Sequence, residues 1–166
     1  MQVELAEAAD AAAIAELHVD VWRATYADLA PPEALESLGV AVRLRQWQAA
    51  LADSASAAGI FVIRSEGVIV GFAKAQRDPD GPMNGRGEIK HLYVSHSEQS
   101  RGLGRLLFNA SASYLQSIKA PGIALGVVDG NDRAIAFYER LGGKHIGEYV
   151  DPGPLWRSRN LIYAWD

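Results

Sequence analysis

Cysteine is absent from the chain. That excludes disulfides, thiolate metal sites and any mechanism that passes an acyl group through a cysteine thioester. No apolar run is long enough to span a bilayer, so a membrane-embedded role is not expected. An excess of positive charge is also missing: the formal net charge is -4 and the sequence pI about 5.6. Nucleic-acid binders normally carry a basic footprint, so no nucleic-acid partner is expected. The first twenty residues carry acids early and have no basic n-region, and they read as the start of a domain rather than a signal peptide. A cytoplasmic location follows as the expectation. Linkers, repeats and low-complexity tracts are missing too, which leaves one domain spanning 1–166. With 49% hydrophobic and 22% charged residues the chain can bury a core of ordinary size.

The apolar periodicity gives the element order. Val3 to Leu5 reads as a short strand. Asp10 is placed to cap a helix whose buried stripe is Ile14, Leu17, Val21 and Trp22, ending near Thr25. Pro31-Pro32 opens a second helical stretch over 33–38, and Val42, Leu44, Trp47 and Leu51 mark a third. The runs 60–63 and 68–73 are β-branched and aromatic, with Ser65-Glu66-Gly67 between them, which is a hairpin pattern. After a loop over 77–87 come a strand (89–94), a helix (103–118), a strand (123–128), a helix (132–141) closed by Gly142-Gly143, and a strand (161–165). This order predicts an α/β layered fold with a mixed central sheet and helices on both faces.

The segment most informative about function joins the strand Glu88 to Val94 to the turn Gln99-Ser-Arg-Gly-Leu-Gly104 and the helix opening at Arg105. The first N–H groups of a helix lack internal acceptors and sit at the positive end of its dipole, a good seat for phosphate. Gly102 and Gly104 lack the Cβ atoms that would hold a ligand off, and Arg101 and Arg105 could add charge-assisted bonds. The dinucleotide fingerprint wants a third glycine where Leu107 stands and a later acid, and neither occurs; no G-x-x-x-x-G-K-[ST] loop exists. On these residues alone, a phosphate cradle and a merely tight turn remain equally open. Further on, Asn131 caps a helix on which Ala134, Tyr138 and Leu141 share one face, with the small Ala134 leaving room for a ligand along it.

Together, E-I-K-H-L-Y-V, Q-S-R-G-L-G and N-D-R-A-I-A-F-Y-E-R-L-G-G resemble the GNAT N-acetyltransferase superfamily over roughly 58–147. The resemblance implies acetyl-CoA as co-substrate and no metal. It places the coenzyme pyrophosphate on the Gln99, Ser100, Arg101, Gly102, Leu103, Gly104 and Arg105 turn. The backbone of Leu92, Tyr93 and Val94 would lie along the pantetheine arm, on a strand that splays from its neighbour. Asn131 would lie near the cofactor and Tyr138 near the thioester sulfur. The acceptor implied is a small-molecule or peptide amine, in a pocket built from early helices and late loops; Trp22, Tyr26 and Trp47 are candidates to line it. A homodimer is common among similar proteins. Other readings of the same residues are a non-catalytic acyl-CoA sensor of this fold and an enzyme that uses the glycine turn for another phosphate ligand.

The chemistry adds its own demands. A lysine-like amine is neutral in about one part in two or three thousand at pH 7, so a proton acceptor is needed. An N–H near Val94 is the candidate donor to the acyl oxygen. The departing thiolate needs a proton, and Tyr138 is the candidate general acid. Glu88 is the candidate base, acting through water as the resemblance implies: in a regular strand it shares a face with Leu92 and Val94, while His91 points to the other side and reads as structural unless a bulge reverses it. His18 and His96 have no evident partners in the sequence, and His145 reads as surface.

Overall fold

The computed structural model describes residues 1–166. Seven strands form one sheet: β1 (Val3–Leu5), β2 (Ile60–Ser65), β3 (Val68–Arg77), β4 (Gly87–Val94), β5 (Ile123–Val128), β6 (Lys144–Val150) and β7 (Arg159–Trp165). They lie in the spatial order β1-β2-β3-β4-β5-β7-β6, antiparallel throughout except for the β4–β5 pair. The β2–β3 hairpin turns on Glu66 and Gly67, both at positive φ, which is the two-residue turn whose twist suits adjoining strands.

Helices cover both faces. On one lie α1 (Ala11–Tyr26), α2 (Pro32–Ser37), α3 (Val40–Ala52) and the short α4 (Ser54–Ala57). Ile14, Ala15, Trp47 and Leu51 pack there on Ile60, Val62 and Phe72. On the other lie α5 (Leu103–Ser117) and α6 (Asp132–Arg140). Leu103 and Leu107 bury against Ile63, Val70 and Ala73, while Phe108, Leu115 and Tyr138 bury against Ile89, Leu125 and Val127. Burial of these apolar faces is the principal force holding the layers together.

Three local expectations are corrected. The sequence pattern does not reveal β6, because its residues alternate little and most are exposed. It is the edge strand, where apolar content is not required and charge discourages stray pairing. Asp10 stands at the start of α1, yet its side chain makes no cap bond there. Its carboxylate instead accepts from the Glu7 amide at 2.9 Å and from Arg64 Nη2 at 2.9 Å, pinning the helix to β2. The third correction carries consequences for the site. The β3–β4 ladder pairs Lys74 with His91 but Ala75 with Ile89, so Lys90 is an extra residue on β4. This bulge breaks the alternation of side chains. Glu88, His91 and Tyr93 fall on the α1–α3 side, and Ile89, Leu92 and Val94 on the α5 side.

Candidate active site

The site begins where two strands part. β4 and β5 pair only at Gly87–Ile123 and Glu88–Ala124; past Glu88 the strands diverge and this edge of β4 has no strand partner. Unpaired N–H and C=O groups on a buried strand edge require partners, and an extended amide-bearing ligand can supply them.

A cavity of about 410 Å³ follows that edge. Leu92, Tyr93, Val94, Gln99, Ser100, Gly102, Gly104, Arg105, Asn131, Ala134 and Tyr138, all expected at the site, line it. Two residues expected to bind the cofactor do not. Leu103 turns its side chain into the core, leaving only backbone to offer, and Arg101 pairs with Glu98 at 2.5 Å instead of lining the cavity. Gln99 Nε2 donates to the Val94 carbonyl at 3.0 Å, so this side chain fastens the turn to the strand end. The two glycines do different work. Gly102 precedes α5 at φ +83°, where a Cβ would meet open space. A Cβ on Gly104 would come within 3.1 Å of the Phe137 ring, so this glycine lets α5 and α6 approach.

The cavity wall is strongly cationic. Arg105, Arg133, Arg140 and Lys90 line it, against the single carboxylate of Glu98. Arg133 and Arg140 were not singled out from the sequence, although with Phe137 they recur at helical spacing on α6. Arg133 also donates to Ser100 Oγ at 3.2 Å, tying α6 to the turn. Asn131 Oδ1 accepts from the Ala134 amide at 3.4 Å and caps α6 as expected. An α5 N-terminus with open space above Gly102, several uncompensated cations and a free strand edge fit a long, polyanionic, amide-containing molecule such as acetyl-CoA.

A second cavity, about 660 Å³, opens on the other face of the sheet. It meets the first at the gap between β4 and β5, where Tyr26, His91, Tyr93 and Gly126 belong to both. A Cβ on Gly126 would lie 2.2 Å from the Tyr149 hydroxyl, so glycine lets that side chain pack against β5 beside the gap. Trp22 and Tyr26 line the second cavity as expected, and Trp156 of the β6–β7 connection packs edge-on to Trp22 at 6.4 Å. Trp47 does not line it; it lies behind, where its indole N–H donates to His18 Nδ1 at 3.1 Å.

Two ionisable groups reach the gap from opposite faces. Tyr138 approaches from α6, buried against Phe137 and Trp165, and burial pushes its phenol well up, with the nearby Tyr26 adding to the rise. Glu88 approaches from β4; it is 3% exposed, lines the second cavity and accepts from Gln76 Nε2 at 2.9 Å. Contrary to the regular-strand expectation, the bulge sets His91 beside it on the same wall. His18 and His91 stand with ring centres 4.8 Å apart, and burial holds both imidazoles well below their usual pKa. Both are therefore neutral at pH 7.

Comparison with known proteins agrees with this geometry. The family model described as "Acetyltransferase (GNAT) family" matches residues 11–143. Among curated proteins, the uncharacterised N-acetyltransferase YuaI of Bacillus subtilis is 30% identical over 141 residues, 81% of this chain and 75% of that one. A mycothiol acetyltransferase of Propionibacterium freudenreichii is 32% identical over 105 residues, covering 62% of this chain but 33% of its own length. Of solved structures, the PaiA N-acetyltransferase of Thermoplasma acidophilum in complex with coenzyme A superposes with a TM-score of 0.74 at 15% identity, covering 99% and 98% of the two chains. The acetyltransferase YncA of Salmonella typhimurium, determined with acetyl-CoA, gives 0.71 at 21% identity over 99% and 92%. By the span of the family match, the chain belongs to the acetyltransferase (GNAT) family.

Proposed function

We propose that the protein transfers the acetyl group of acetyl-CoA to a primary amine by direct attack. The observation that carries this reading is the meeting of two cavities at the β4–β5 gap, one cationic and edge-lined, the other aromatic and acid-bearing. Acetyl-CoA supplies an activated acyl thioester. Backbone amides at the start of α5, with Arg105, Arg133 and Arg140, hold its phosphates. The free edge of β4 from Ile89 to Val94 holds its amide-bearing arm.

The remaining work is proton management. An amine reaching the gap from the second cavity must lose a proton before it can attack. Glu88 takes that proton through water; Gln76 engages one of its oxygens and the residue lines the second cavity. A main-chain N–H near Val94 donates to the acyl oxygen as charge develops there. Tyr138 stays protonated at any accessible pH because burial opposes its ionisation, so it is always ready to donate to the departing sulfur. Burial disfavours phenolate and bare thiolate alike, so the phenol donates as the sulfur departs and regains a proton from the attacking nitrogen, which must lose a second one to become an amide.

The test is an amine panel assayed with acetyl-CoA for released thiol, run beside thermal shifts with acetyl-CoA, NAD and ATP. Thiol release dependent on amine, with stabilisation by acetyl-CoA alone, is expected. Stabilisation without turnover on any amine would favour a sensor; no selective stabilisation would remove the acyl-CoA reading altogether.

A further inference from the structure

In the second cavity, charges of both signs stand on separate walls without pairing. Arg43, on α3, lines that cavity and makes none of the chain's ion pairs, which engage Arg64, Arg86, Arg101 and Arg159. Its Nη1 donates to Gln46 Oε1 at 3.0 Å, while its Nε is buried with no partner. The groups close enough to feel its charge are His18, His91 and Tyr93, all uncharged at pH 7. A half-buried guanidinium facing only neutral rings loses hydration and gains no counter-charge.

A second donor is orphaned beside it. Trp47 donates to His18 Nδ1, which fixes the proton of the neutral ring on Nε2. That Nε2–H is buried, lacks an acceptor, and belongs to a side chain 1% exposed that lines the same cavity. On other walls stand three carboxylates, Glu33, Glu88 and Asp151, none of them in an ion pair.

We propose that the acceptor is a zwitterion of amino-acid type, its carboxylate held by Arg43 and its amine directed to Glu88 on β4. This rests on the acetyl-transfer reading and narrows it. A simple amine would leave the guanidinium unpaired, and so would a protein N-terminus, which has no carboxylate beside its amine. A dianion such as phosphate would face three acids. A small molecule with one charge of each sign satisfies both walls, and the volume of about 660 Å³ admits it.

The experiment compares amino acids with their C-terminal amides, as acceptors in the thiol-release assay and as ligands by calorimetry in the presence of coenzyme A. The free acids should win by about tenfold or more, the scale of one charge-assisted hydrogen bond. Arg43→Gln should bring the acids down to the level of the amides, chiefly through KM, and Arg43→Lys should restore part of the preference. Acetyl-CoA affinity should not change in either variant. Amides equal to acids in the wild type, an unaltered preference in Arg43→Gln, or no free acid binding or reacting would each overturn the proposal. The acetyl-transfer reading fails separately, by absence of thiol release from every amine, and calorimetry then still decides the role of Arg43.

Discussion

Tyr138 and Glu88 approach one gap from opposite faces of the same sheet, and this division suits a reaction that must remove a proton on one side and deliver one on the other. The two roles separate kinetically. Tyr138→Phe keeps the ring packed against Phe137 and Trp165 and removes only the hydroxyl. Turnover should fall about a hundredfold, within the usual range for a general acid, while acetyl-CoA affinity by calorimetry stays near the wild-type value. An unaltered kcat would remove the acid role. Glu88→Gln preserves size and a partner for Gln76 but cannot accept a proton. Its rate should be depressed at neutral pH and recover toward alkaline pH, where the amine deprotonates unaided. A pH–rate profile that overlays the wild type would return Glu88 to a structural part.

Elements explain why these two residues meet. The hairpin, the strand–turn–helix from β4 into α5, and α6 with its Asn131 cap were all legible, because each announces itself through local chemistry: turn residues, glycines at a helix start, an asparagine followed by a periodic face. The bulge at Lys90 was not. It contains no glycine, and its only sign is a shift of register against β3. Missing it put Glu88 on the face of Leu92 and Val94 and dismissed His91. The edge strand β6 escaped for lack of an apolar pattern, and Arg43 and His18 because their meaning lies in one unpaired nitrogen on each, which no sequence pattern marks. The two turn glycines looked equivalent in sequence, and the elements around them distinguish the pair. Gly102→Ala forces a Cβ into the left-handed region, at a cost of about 1–2 kcal/mol, and aims it at the open space above α5. Acetyl-CoA affinity should drop, with a fall in Tm of about 2–4 °C for each kcal/mol lost. Gly104→Ala instead presses on Phe137, so its effect should appear as lost stability first. Equal loss of affinity in both variants would contradict this assignment.

The molecule as a whole keeps two imidazoles neutral between its helical layer and its sheet, and that sets its response to acid. His18 is enclosed by Trp47, Phe72, His91 and Tyr93, with Arg43 nearby, and every one of these surroundings opposes a positive charge or leaves it unsolvated. His91 feels His18, Arg43, Lys90 and Lys74 in addition to burial. In the unfolded chain each histidine titrates near 6.5. Above that pH both states are neutral and the groups do not affect stability. Below it the unfolded chain binds protons that the native state refuses, so stability falls as pH drops from about 6.5 toward the depressed native pKa values. The slope approaches about 1.4 kcal/mol per pH unit for each ring, the limit for one proton. Carboxylates titrate lower, so denaturant melts between pH 7 and 5.5 isolate the histidines. His91→Gln, and His18→Gln, which keeps a polar partner for Trp47, should each flatten the decline in part. A wild-type stability constant across that interval would mean that the imidazoles take up protons in the folded protein, and that the neutral ring pair behind the acceptor cavity does not exist in solution.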